Sequence, residues 1–219
     1  MTTFERVADI LLGDDASPLP AKPRLLLATD LWALATPAAQ DACATARLRI
    51  EAVLGKPTQV KAVLDDIDAI YWNFRYLQGR EAWAVDGSFI TRYAPPLGPG
   101  VKERFAWSKD VTDAQVEQAT AFRNRFRAHL TALLGTDGVL VLPTMPDIAP
   151  RISEPDAALE DYRARALRLL SSAGLSGLPQ LSLPIAGREG APLGVSLLGP
   201  AGTDRSLIRI AQAVMATKA

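Results

Sequence analysis

The chain has 219 residues, with 24 Lys and Arg against 24 Asp and Glu, so its formal net charge is zero. That balance argues against nucleic acid or an anionic membrane surface as partner, because both select clustered cations. The single cysteine, Cys43, excludes an internal disulfide and a cysteine-rich metal site, and fits a reducing compartment.

Residues 4–12 carry Phe4, Val7, Ala8, Leu11 and Leu12 at three- and four-residue spacing, which predicts a short helix stopped by Gly13. The start, Met1-Thr2-Thr3-Phe4-Glu5-Arg6, lacks the basic-then-apolar order of a signal peptide. No apolar run reaches the roughly 20 residues of a membrane span, so the expected location is the cytoplasm. A Pro-rich loop over 14–23 leads to a short buried strand at 24–28. Thr36-Pro37 predicts a helix start, with threonine as N-cap and proline at the first helical position, and Gly55 its end. Residues 59–63 read as an edge strand. Asp65 or Asp66 caps a helix that buries Ile67, Ile70, Tyr71, Phe74 and Leu77 and runs to Tyr93, with a break expected near Gly87.

Pro95-Pro96-Leu97-Gly98-Pro99-Gly100 is a hard stop before a short helix to Trp107. Thr112 and Gln115 form a capping box for a helix to Leu134, with a buried stripe of Val116, Ala119, Phe122, Phe126, Leu130 and Leu133. Residues 139–142 are continuously apolar and too few for a helix, so they predict a strand buried on both faces. A helix over 162–170, a tight connection at Gly174 to Gly177, a strand at 180–185, a Gly-Arg-Glu-Gly turn, a strand to Pro200 and a final helix complete the chain. The alternation predicts one α/β domain over 1–219: layered helices around a sheet that the closing hairpin makes mixed.

The residues alone offer no self-sufficient active site. His129 lies beside the apolar stripe of its helix, the ordinary place of a boundary histidine, so a Ser-His-acid triad lacks its base. Ser171 and Ser172 lack a Gly-rich elbow and suit backbone bonding instead. Asp65, Asp66 and Asp68 are explained by the helix dipole and have no histidine or second acidic cluster to complete a metal site. No cofactor motif is found. Tyr71, Trp72, Phe74, Tyr76 and Trp83 read as core or as the lining of an apolar pocket.

Three stretches carry a resemblance: Val139-Leu140-Val141-Leu142-Pro143-Thr144, the run from Ala173 to Pro184, and Gly194 to Gly199. In order and spacing they resemble the carboxyl-terminal part of amidase-signature enzymes. The 4–13 helix, the 22–30 strand, Gln78-Gly79-Arg80-Glu81-Ala82-Trp83 and 97–105 extend the resemblance over nearly the whole chain. It implies the carboxyl-terminal half of the amidase-signature fold and hydrolysis of carboxylic amide C–N bonds. The family works with a serine nucleophile, a second serine joined through a cis peptide, and a lysine base. The Gly-Gly-Ser-Ser-Gly-Gly-Ser-like segment that carries those serines is absent from this sequence, and Lys22, Lys56, Lys61, Lys102, Lys109 and Lys218 lie in none of the family's catalytic contexts. No residue therefore inherits a catalytic role.

The resemblance implies a scaffold and a share of the substrate-cavity wall, with Gln78, Glu81, Trp83, Thr144, Met145 and Pro146 as candidate substrate-binding residues. Leu167 stands where glutamine-dependent members carry an acidic residue, which argues against glutamine as substrate. The expected partners are a small-molecule amide, once the missing half is supplied, and either a second copy or a partner chain covering the exposed edge. The alternative is a non-catalytic ligand- or partner-binding protein that keeps this fold.

Overall fold

The computed structural model describes residues 2–64, 66–98 and 100–217; Asp65, Pro99 and Lys218 of the sequence reading lie outside them. In chain order the elements are α1 (Thr2–Leu11), β1 (Arg24–Ala28), α2 (Thr29–Trp32), α3 (Pro37–Ala42), α4 (Ala44–Leu54), β2 (Thr58–Val60) and α5 (Ile67–Tyr93). Then follow α6 (Val101–Lys109), α7 (Asp113–Leu134), β3 (Gly138–Pro143), α8 (Asp156–Ser176), β4 (Gln180–Arg188), β5 (Ala191–Leu198) and α9 (Asp204–Ala216). Among the described residues the strands form one five-stranded sheet of order β2-β1-β3-β5-β4. β1 pairs in parallel with β2 and β3, while β3 with β5 and β5 with β4 are antiparallel, so the sheet is mixed as the closing hairpin predicts.

Sequence periodicity explains the layers. Every residue of β3 is buried, and alternate side chains go to opposite faces. Leu140 and Leu142 join Leu26 and Leu198 under α5, α7 and α8, where Phe126 and Leu130 are fully buried. Val139 and Val141 join Leu25, Val195 and Leu197 under α3, α4 and α9. Burying each such side chain stabilises the fold by roughly 1.5–3 kcal/mol before entropy is counted. The hairpin closes through Glu189 and Gly190, both at positive φ (53° and 79°), the conformation a two-residue turn between twisted strands requires.

The structure departs from the periodicity in four places. Residues 37–54 form two helices, α3 and α4, parted at Cys43. α2 follows β1 directly, and Asp30 in it accepts backbone N–H bonds from Leu31, Ala62 and Val63 at 2.7–3.1 Å. α5 runs unbroken through Gly87, because the Trp83 ring packs where a Cβ would be and protects the turn. α8 extends from Asp156 to Ser176, so Gly174 is helical rather than part of a connection. A Cβ there would sit 2.5 Å from Phe74, and the missing methyl lets α8 lie against α5.

α1 packs differently from the rest. Ala8 is buried, whereas Phe4, Val7, Ile10, Leu11 and Leu12 are exposed. Polar contacts with α9 hold this end of the chain. Arg205 pairs with Asp9, and the buried Asp15 carboxylate accepts the Arg205 and Ser206 N–H groups at 2.6 and 2.7 Å and the Ser206 hydroxyl at 2.6 Å. Asp15 thus satisfies the N-terminal donors of α9 from outside the helix. Burial alone would raise its pKa. The bonds from Ser206 and Arg205, with the charge of Arg209, outweigh burial and hold it below the ordinary carboxylate value. A depressed carboxylate contributes stability above its unfolded pKa and loses it as pH falls through the folded value. Asp15→Ala is expected to cost about 2 kcal/mol in urea unfolding at neutral pH, and the deficit against the parent protein should shrink below about pH 4.

Candidate functional site

Ligands of open α/β sheets gather outside the carboxyl ends of the strands. Here the carboxyl end of β3 opens into residues 144–155, and two cavities flank that segment.

Thr144 fixes the segment to the sheet. Its N–H donates to Gly194 O at 3.1 Å, and its hydroxyl lies 2.9 Å from Ser182 Oγ and 2.8 Å from Ser196 Oγ. Gln180 Nε2 donates to Ser196 Oγ at 3.0 Å, which ties the cluster to the start of β4. Glycine at 194 makes room for this cluster, since a Cβ there would stand 2.6 Å from Thr144 Oγ1 and 2.8 Å from Ser182 Oγ.

Asp147 is the second anchor. The Thr36 hydroxyl, which caps α3 by accepting the Ala39 N–H, donates to Asp147 Oδ2 at 2.7 Å. The Thr36 N–H donates to Pro146 O at 2.9 Å, Arg188 pairs with Asp147 at 3.2 Å, and Tyr162 donates its hydroxyl to Asp147 O at 3.2 Å. Burial, reinforced by the Asp147 charge, raises the Tyr162 phenol above its ordinary value, so it stays a neutral donor at physiological pH. The sequence reading missed Thr36, Asp147, Tyr162 and Arg188 as site residues. The available signals were a helix-capping threonine and an aspartate inside the Pro143–Pro150 run.

The larger cavity, about 670 Å3, lies between α5, α6 and α8 and meets β3 at Met145. Gln78, Arg75 and Tyr71 of α5, Arg104 and Trp107 of α6, and Leu167 of α8 line it. Gly79 lets α6 approach, because a Cβ there would lie 2.6 Å from the Trp107 ring. The smaller cavity, about 380 Å3, is bounded by Thr36, Asp147, Arg151, Tyr162 and Arg188.

The candidate residues therefore separate. Gln78 and Met145 line the larger cavity. Thr144 and buried Pro146 form the turn that sets Met145. Glu81 is exposed on α5, and Trp83 packs over Gly87 with Lys109 6.0 Å from its ring. The described residues contain no group of three His, Cys, Asp or Glu placed to hold a metal ion. A serine nucleophile needs a base within hydrogen-bond reach. Ser171 is fully buried and donates to Leu167 O at 2.5 Å, and Lys22, Lys56, Lys61, Lys102 and Lys109 are all exposed. His129 is half-buried on α7, away from both linings, and Cys43 is buried with its thiol pKa raised by that burial.

A family model described as Amidase matches residues 33–208. The chain belongs to the amidase family. Amidase 1 of Arabidopsis thaliana is 34% identical over 159 residues, which are 73% of this chain and 37% of that protein. Amidase 1 of Oryza sativa subsp. japonica is 38% identical over 144 residues, 65% of this chain and 33% of that one. The chloroplastic Outer envelope protein 64 of A. thaliana is 34% identical over 136 residues, 62% of this chain and 23% of the relative. Among solved structures, an amidase crystal structure superposes with a TM-score of 0.80 at 21% identity over 98% of this chain and 50% of its own. Allophanate hydrolase of Kluyveromyces lactis gives 0.75 at 18% identity, over 91% and 33%. The chain thus spans about a third of the two Amidase 1 relatives and half of the amidase whose fold it shares. No helix among the described residues is long and apolar enough to cross a membrane.

Gly194→Ala should drive a methyl into the Thr144 cluster and lower stability by about 1–3 kcal/mol in thermal or urea unfolding. Thr144→Val removes the bridging hydroxyl without adding bulk and should cost about 1–2 kcal/mol by the same measurement.

Proposed function

We propose that this chain is the carboxyl-terminal portion of an amidase-like hydrolase of carboxylic amide C–N bonds, and that it acts as one α/β unit over residues 1–219. Its part is to complete the sheet and to supply one wall of the substrate cavity. The observation that carries the reading is the placement of the cavity. It opens against Met145 at the carboxyl end of the most deeply buried strand, inside the stretch that the amidase family model matches. Gln78 and Met145 are the wall residues, Thr144 and Pro146 position Met145, and Glu81 and Trp83 lie at the far end of the same α5 segment. The nucleophile and base come from outside this chain. The sequence has no Gly-Gly-Ser-Ser-Gly-Gly-Ser-like segment, and the described lysines are exposed. Leu167 places an apolar side chain in the α8 part of the lining where an acidic one would favour glutamine, which supports an amide other than glutamine.

The exposed α1 face fits the same reading. Four exposed apolar side chains on one short helix, with Leu12 just beyond it, are a surface to be covered, by a second copy or by the chain that carries the nucleophile.

Two measurements test this. The chain alone is expected to show no turnover of benzamide or hexanamide, and turnover that survives the Ser171→Ala and Ser172→Ala double substitution would overturn the reading. A chimera in which residues 33–208 replace the matched segment of the A. thaliana Amidase 1 should hydrolyse amides, whereas a folded but inactive chimera would remove the wall role. Separately, sedimentation velocity should show the chain self-associating, and the paired Ile10→Ser and Leu11→Ser substitutions should shift it toward monomer. A parent chain that is monomeric at every concentration would discard the second-copy arrangement.

A further inference from the structure

The larger cavity is not electrically neutral. Three guanidinium groups line it, from Arg75, Arg104 and Arg163, against one carboxylate, Glu160. Glu160 is already held by Arg163 at 2.5 Å. Arg75 and Arg104 have no ion-pair partner among the described residues. Two unmatched cations thus face one concave, partly apolar space.

Arg75 is also held in a particular way. Its guanidinium lies 4.5 Å from the Trp107 ring centroid and 5.4 Å from those of Tyr71 and Trp72. Trp107 is stacked on Tyr76 at 5.9 Å, and Tyr76 on Trp72 at 6.1 Å, so the cation is braced by a ladder of rings. Stacking uses the face of a guanidinium and leaves its in-plane N–H donors available. One of those donors goes to the Tyr71 hydroxyl at 2.9 Å. The rest are pre-oriented, and a planar fork of donors matches a carboxylate. Phe105, Trp107 and Met145 add apolar lining to the same cavity.

We propose that this cavity binds a small molecule with a planar apolar body and a carboxylate, the carboxylate meeting Arg104 and Arg75 and the body lying against Trp107 and Phe105. The proposal rests on the reading above for the cavity's role as a substrate wall, but the binding itself is measured without turnover. The carboxylate has two sources: a second acidic group on an amide substrate, or the acid that hydrolysis releases.

The test is titration of the full chain with benzoate, benzamide and 4-carbamoylbenzoate, followed by tryptophan fluorescence because Trp107 lines the cavity. Both carboxylates are expected to bind saturably, with benzamide weaker by roughly tenfold, the loss of one charge-assisted hydrogen bond. Arg104→Gln should weaken both carboxylates by roughly tenfold and leave benzamide unchanged. Arg104 is exposed, so this substitution spares the fold, and Arg75→Lys, which keeps the charge but not the fork, gives an independent check. Tighter binding of 4-carbamoylbenzoate than of benzoate identifies an acidic amide as the ligand, and the reverse order identifies the released acid. Benzamide binding as tightly as benzoate, carboxylate binding indifferent to Arg104→Gln, or no binding of any probe would overturn the proposal. Any of these alongside an active chimera would leave the amidase reading standing, and binding by a chain whose chimera is inactive would do the opposite.

Discussion

β3 is the constraint on which the molecule depends. It is buried on both faces and paired along both edges, in parallel with β1 and antiparallel to β5. Both hydrophobic layers are anchored on its alternating side chains, and the change from parallel to antiparallel pairing occurs at it. A polar substitution in this strand would disturb one core or the other, according to the face its side chain meets. Its carboxyl end is correspondingly a firm base from which to launch a loop, and Met145, two residues past the strand, lines the larger cavity.

The loop itself is made rigid by polar contacts that cross elements. Thr36 caps a helix and steadies Asp147 with the same hydroxyl, accepting one hydrogen bond and donating another. Thr144 does the equivalent on the sheet side through two serines. Between these anchors the chain has little freedom, and the cavity wall is set by the strand order rather than by the loop's own preferences.

Much of this was legible in the sequence because local chemistry and fold agree there. The continuous run 139–142, the Thr112–Gln115 box, the Thr36-Pro37 start and the Glu189-Gly190 turn each state their structure within a few residues. What stayed hidden depends on distance along the chain. Asp147 becomes an anchor only when α3 and β4 bring Thr36 and Arg188 to it. Gly174 reads as part of a tight connection until Phe74 is seen against it. The aromatic cluster of α5 was visible, but whether it was core or pocket was decided by α6, whose Trp107 lies where Gly79 leaves room. Glu81 and Trp83 were named from a neighbouring motif, and helical rotation carries them away from the lining that Gln78 reaches.

The attachment of α1 sets the order in which the molecule comes apart. This helix buries little besides Ala8 and is tied to α9 by Asp9, Arg205 and the Asp15 carboxylate, whereas the sheet is held by two apolar layers. Such a segment is a separate cooperative unit of low opening free energy. Its amides exchange with solvent through local release while those of β3 wait for global unfolding, and a protease meets the first two dozen residues long before it meets the sheet.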